Sequence, residues 1–105
     1  MSKKVFLCKS SDIRDGVPFQ VCPKNYDDPF LLHKVGGELF LTDDLCTHGL
    51  VSLSDGELVG TTIHCPLHGG AFDVRNGNAV ELPCKKALKT YPVEIVDGDV
   101  FGSIE

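Results

Sequence analysis

Short apolar segments separated by turn residues run along the whole chain, and no window combines a sustained helical period with a cap. Val5-Phe6-Leu7-Cys8 reads as a first strand and Phe19-Gln20-Val21-Cys22 as a second, bounded by Pro18 and Pro23. Phe30-Leu31-Leu32-His33-Lys34-Val35 and Glu38-Leu39-Phe40-Leu41 flank Gly36-Gly37, a pair able to take the positive φ of a two-residue hairpin turn. Asn76-Gly77 and Asp97-Gly98 mark two further hairpins by the same reasoning. Around the second, Val93 and Ile95 alternate with Glu94, and Val100 and Ile104 lie an even number of residues apart, so one sheet face should be buried there. Ser11-Asp12-Ile13-Arg14-Asp15-Gly16 can form a single helical turn ending at its glycine. The pattern predicts an all-β, antiparallel fold with very little helix.

A chain of 105 residues is the size of one domain, so residues 1–105 are expected to share one framework. Apolar residues make up 42% and charged residues 24%, the mixture of a chain that buries a core. A formal charge of -5 argues against phosphate backbones and anionic membranes as partners. The apolar run after Lys3-Lys4 is far too short for a signal peptide, and no stretch approaches a membrane span, so the expected location is cytoplasmic. Five cysteines, an odd number without disulfide-framework spacing, point to reduced thiols or metal ligands.

The stretch 43–82 stands apart: it holds three of the four histidines, two cysteines and six of the eleven glycines. It reads as a small cluster-binding subdomain inserted in the β framework. Two loops in it carry the candidate chemistry, Leu45-Cys46-Thr47-His48-Gly49 and, after positions 49 to 64, Cys65-Pro66-Leu67-His68-Gly69-Gly70. Two thiolates and two imidazoles could hold a tetrahedral zinc ion, so residue type alone leaves the metal open. Zinc fingers usually pair cysteine with cysteine and histidine with histidine, whereas each loop here is mixed. Mixed loops suit a site with two unlike metal positions, such as a diiron cluster in which thiolates favour one iron and neutral imidazoles the other.

Cys46-Thr47-His48 and Cys65-Pro66-Leu67-His68-Gly69-Gly70 resemble the two ligand loops of Rieske iron-sulfur proteins in residue type and spacing. Phe72-Asp73 and Lys89-Thr90-Tyr91-Pro92-Val93 look like the small ferredoxins of bacterial ring-hydroxylating dioxygenase systems, so the resemblance spans nearly the whole chain. It implies a Rieske-like antiparallel β-sandwich holding one [2Fe-2S] cluster, with Cys46 and Cys65 on the buried iron and His48 and His68 on the outer one. It also implies a one-electron carrier without catalytic residues, served by a ferredoxin reductase and serving a terminal oxygenase. Such a carrier is expected to be a monomer. A cluster with all four ligands from protein has no open position for substrate. Pro66, Leu67 and Pro83 would rim the histidine edge, where partners pack transiently. Two alternatives remain at this point, a Rieske-like small subunit of a nitrite reductase and a zinc-binding structural module.

The departures from the cytochrome bc branch of the family are informative. That branch carries an extra cysteine in each loop where this chain has Val51 and Leu67, so a loop disulfide is ruled out. It also places a serine and a tyrosine where this chain has Gly70 and Phe72. Without those hydroxyl donors the reduced cluster is less stabilised, and the expected potential lies near the lower end of the Rieske range, about -150 mV. Elsewhere, His64 beside Cys65 should point away from the site, and His33 reads as a sheet-face residue. Cys8, Cys22 and Cys84 read as small, partly buried hydrophobes, with Leu82-Pro83-Cys84 similar to the family's third loop near the cluster.

Overall fold

A computed structural model of the chain describes residues 3–24, 26–47, 51–66, 70–81 and 86–104. Its strands are β1 (Lys3–Lys9), β2 (Phe19–Val21), β3 (Phe30–Val35), β4 (Glu38–Asp43), β5 (Glu57–Val59), β6 (Thr62–His64), β7 (Ala71–Asp73), β8 (Ala79–Glu81), β9 (Thr90–Tyr91), β10 (Val93–Val96) and β11 (Asp99–Ile104). Helix among the described residues is limited to single 3-10 turns at Ser10–Asp12 and Leu53–Asp55. The first of these starts one residue before the sequence pattern suggested and ends at Asp12 rather than at Gly16, because Ile13 is extended and Gly16 belongs to a separate turn closed by the Val17 N–H on the Arg14 carbonyl.

The strands form three antiparallel sheets, ordered β1-β11-β10, β2-β3-β4-β9 and β5-β6-β7-β8. The second sheet is covered on both faces. On one side Phe30 and Leu32 of β3 and Leu41 of β4 pack with Cys8, Val100 and Ile104 of the first sheet. On the other, Leu31 packs with Leu58, Ile63 and Phe72 of the third sheet. Period-2 side chains from one strand therefore feed two cores, which is why the run Phe30-Leu31-Leu32-His33 is buried without a break. Gly102 of β11 leaves the gap that the Leu41 side chain of the facing sheet fills.

Turn chemistry fixes the registers. Gly36 and Gly37 both have positive φ, +58° and +86°, and join β3 to β4 so that Val35 pairs with Glu38. Asp97 and Gly98 do the same between β10 and β11. The Asn76-Gly77 hairpin is longer than a two-residue turn: β7 ends at Asp73, β8 starts at Ala79, and the loop is closed by the Gly77 N–H on the Asp73 carbonyl (2.7 Å). Burial at the last hairpin is graded. Val100 and Ile104 are buried as expected, while Ile95, directly opposite Val100, is half exposed, because β10 is the edge strand of its sheet and β11 the central one.

Gly77 carries a second duty. Its φ is +81°, its carbonyl accepts the Leu88 N–H (2.7 Å), and a Cβ there would run into the Leu88 carbonyl oxygen. Gly77→Ala is expected to lose at least the roughly 1–3 kcal/mol of left-handed strain, because the clash with backbone cannot be relieved by a rotamer change. Urea unfolding reads this directly, and an unchanged midpoint would contradict the placement.

Candidate metal centre

Two loops bring Cys46 and Cys65 into one buried cluster. The first leaves β4 and is pinched by a bridge between Leu45 and Ser52, with the Cys46 N–H donating to the Val51 carbonyl (2.9 Å). The second leaves β6 and returns as β7, with the Cys65 N–H donating to the Gly70 carbonyl (2.6 Å). Both loops thus close on their own cysteine. Cys46 and Cys65, each only 4% exposed, fall in one core cluster with Leu31, Leu53 and Phe72.

His48 and His68, the other two expected ligands, lie outside the described residues, as do Gly49, Leu67, Gly69, Pro83 and Cys84. Pro66 is exposed beside buried Cys65, so the second loop turns outward at that point. Thr47, also exposed, donates its hydroxyl to the Lys86 carbonyl (2.8 Å), which ties the first loop to the residues that follow the expected third loop. His64 sits in β6, paired with Glu57 and Ala71.

The surroundings of the two cysteines fit a thiolate-bound metal. The cysteines lie together in a buried cluster with Leu31, Leu53 and Phe72, and sulfur is a soft ligand that suits iron or zinc. Phe72 is completely buried and carries no hydroxyl, and buried Gly70 has no side chain, so neither supplies the donors that the other branch places at these positions.

Sequence reasoning missed a polar layer beneath the first loop. Asp44, two residues before Cys46, is fully buried. Its Oδ1 accepts the Ser54 N–H (2.9 Å) and its Oδ2 accepts Gln20 Nε2 (2.9 Å), while its carbonyl accepts the Leu53 N–H (2.7 Å). The signal available was an acid immediately before a ligand loop, but its partners come from β2 and from beyond the loop. Tyr91 of β9 donates its hydroxyl to Asp43 (2.6 Å), and partial burial, reinforced by that hydrogen bond and the Asp43 charge, pushes the phenol's pKa well above its usual value.

His33 completes the layer. The Thr42 hydroxyl donates to the Asp43 carbonyl, so its oxygen is left to accept from His33 Nε2–H at 3.0 Å, and the ring is the Nε2–H tautomer. Its Nδ1 has no hydrogen bond among the described residues. Burial pushes the His33 pKa down to about 4, against a smaller pull upward from Asp44. Between that value and the unfolded value near 6.5 the unfolded chain binds more protons. The contribution is therefore complete above about pH 6.5 and lost as pH falls toward 4, by roughly 3 kcal/mol in all. His33→Leu should flatten the fall in urea stability between pH 6.5 and 4, and a slope equal to the wild type's would contradict the assignment. Of the remaining thiols, Cys8 is buried and raised to about 11, chiefly by desolvation, as a core hydrophobe would be. Cys22 departs from expectation and is exposed, because it lies just past the end of β2.

The family model for the Rieske [2Fe-2S] domain matches residues 3–92. The ferredoxin component of the p-cumate 2,3-dioxygenase system of Pseudomonas putida is 39% identical over 99 residues, covering 92% of this chain and 82% of the relative. Among solved structures, the Sphingomonas yanoikuyae B1 ferredoxin superposes with a TM-score of 0.92 at 43% identity, covering 98% of this chain and all of that one. A chain in the complex of reduced oxygenase and oxidised ferredoxin of carbazole 1,9a-dioxygenase superposes with a TM-score of 0.90 at 36% identity, covering 98% and 94%. No helix among the described residues is long and apolar enough to cross a membrane.

Proposed function

The chain belongs to the family of Rieske [2Fe-2S] domains, and from that membership we propose that it is a one-electron carrier whose cluster is held by Cys46 and His48 of the first loop and Cys65 and His68 of the second. The observation that carries this reading is the convergence of two separately closed loops on one core cluster containing both cysteines. When bound, the cluster supplies a reversible one-electron couple at a site with no vacant coordination position. The protein's own residues do the rest. Cys46 and Cys65 would hold the inner iron away from water, and the apolar side chains of Leu31, Leu53 and Phe72 keep the dielectric low around it. His48 and His68 would hold the outer iron and form the edge through which partners exchange electrons, with Pro66 on its exposed rim.

On this reading residues 1–105 form one domain and residues 43–82 its cluster-binding part. The chain is a cytoplasmic monomer that takes electrons from a ferredoxin reductase and delivers them to the terminal oxygenase of an aromatic-ring-hydroxylating dioxygenase. The relatives that are ferredoxin components of such systems support this assignment, as does the ferredoxin seen complexed with an oxygenase. Encounters of this kind bury little area and separate quickly.

Stopped-flow mixing of the anaerobically reduced protein with the oxidised oxygenase of a related system tests the function. One electron should leave each protein molecule and the oxygenase should become reduced. Retention of the electron against every such oxygenase would contradict it. The missing donors at Gly70 and Phe72 carry a second expectation, a midpoint potential near the lower end of the Rieske range, about -150 mV, that Phe72→Tyr raises. A wild-type value above zero would contradict it.

A further inference from the structure

We propose that Thr47 is a positioning residue for the cluster, a side-chain latch that holds the first ligand loop to the strap 86–89 and so keeps the two ligand loops together; this rests on the ligand reading above. The strap leads into β9 and runs antiparallel to the end of β4. Main-chain pairing joins Leu41 to Tyr91 and Thr42 to Thr90, and continues with the Asp43 N–H on the Lys89 carbonyl (3.0 Å). Beyond Asp43 the first loop turns away and closes on itself, with the Cys46 N–H on the Val51 carbonyl. Its next tie to the strap is the Thr47 hydroxyl, which donates to the Lys86 carbonyl (2.8 Å). A side chain takes over where the main-chain ladder gives way to the loop.

The strap is fixed from its other side by the hairpin that follows the second loop. That loop returns as β7, and the Gly77 carbonyl in the turn between β7 and β8 accepts the Leu88 N–H (2.7 Å). The Leu88 side chain, 2% exposed, lies in the same core cluster as Cys46 and Cys65, whereas Lys86, Ala87 and Lys89 are exposed. The strap therefore ties the hairpin of one ligand loop to the other loop, and Thr47 is the point of attachment beside Cys46. Thr47 also precedes the proposed ligand His48, so releasing the latch frees the stretch that carries both. Because Thr47 is exposed, water can replace its bond on unfolding, and the latch adds little to the stability of the whole fold. Its effect falls on local opening of the loop, which costs less than global unfolding and is enough to let a bound metal go. The Thr47 methyl could pack the loop in place without any hydrogen bond, and substitution separates that reading from the latch.

Bleaching of the visible spectrum of the cluster-loaded protein under excess iron chelator, without denaturant, reads this opening. Thr47→Val keeps the shape of the side chain and loses the donor, and its cluster should leave about two- to tenfold faster, the factor set by the net worth of one hydrogen bond. Thr47→Ser keeps the donor and should restore the wild-type rate. Hydrogen exchange followed by mass spectrometry should show residues 43–47 opening faster in Thr47→Val, while β1, β3 and β11 keep wild-type protection. A wild-type bleaching rate in Thr47→Val overturns the proposal. So does a Thr47→Ser protein that bleaches as fast as Thr47→Val, because the methyl and not the hydroxyl then holds the loop. Faster exchange in every strand alike overturns it as well, since the change then weakens the whole fold. A Thr47→Val protein that is folded by circular dichroism yet empty gives the expected result in its strongest form, provided that Thr47→Ser fills. Thr47→Ala, judged by the same outcomes, replaces a Thr47→Val protein that fails to fold. A wild-type protein that binds no iron and sulfide instead removes the ligand reading, and the proposal falls with it.

Discussion

Serine in place of Cys46 or Cys65 is expected to yield a protein stripped of its cluster, with iron content and visible absorbance reduced to background. Both cysteines sit at 4% exposure, each on a loop closed by its own backbone N–H, so neither can be replaced by a neighbour swinging inward. A serine oxygen is nearly the same size but is a far harder ligand and stays protonated at neutral pH, so it cannot stand in for a thiolate on iron. The same loss is expected for His48→Ala and His68→Ala, since alanine offers the outer iron nothing. Because metal binding is linked to folding, all four variants should also melt at lower temperature. Iron assay and the visible spectrum check the expectation; a native spectrum in any one of the four would remove that residue from the ligand set.

Phe72→Ala should be the most damaging change that touches no ligand. The ring is completely buried on β7, where Ile63 is its cross-strand partner, and it shares a core cluster with Cys46, Cys65, Leu31 and Leu53. Truncating a buried phenylalanine costs about 3–5 kcal/mol, since the transfer energy of the ring is lost and the cavity left behind is only partly filled. Against a total stability of about 5–15 kcal/mol for an ordinary domain, that is a large fraction. The cavity also opens beside the cysteines, so the variant should bleach well before the wild type on a urea ramp. A shift equivalent to less than about 1 kcal/mol would show that this core can collapse and that Phe72 does not hold the loops together.

Local patterns carried most of this structure in legible form. The glycine and aspartate turns announced their hairpins because φ preference is a property of one or two residues, and the paired loops announced the site because each motif lies within six residues. What stayed hidden depended on how strands and sheets are assembled. Alternation put Ile95 on the same face as Val93 and Val100, correctly, but that β10 lies at the edge of its sheet is not written in its own residues, and Ile95 emerged half exposed. His33 read as a sheet-face residue without a hint that its sheet is covered on both sides. The hydrogen bonds of Asp44 draw on Gln20 and Ser54, and the tie from Thr47 to Lys86 joins two loops far apart in the chain. Such long-range polar contacts leave no periodic trace. The proposed ligands are different again: Cys46 and Cys65 fall in one buried cluster, while His48 and His68 lie outside the described residues and rest on the motif alone.

Whether the protein holds a [2Fe-2S] cluster is decided by an electron paramagnetic resonance spectrum of the dithionite-reduced protein, with iron, zinc and acid-labile sulfide measured on the same sample. The expected result is a rhombic signal with the low average g of mixed histidine and cysteine ligation, together with equal iron and sulfide. A silent sample containing stoichiometric zinc would contradict it, leaving the three-sheet fold in place and removing the electron-carrier function.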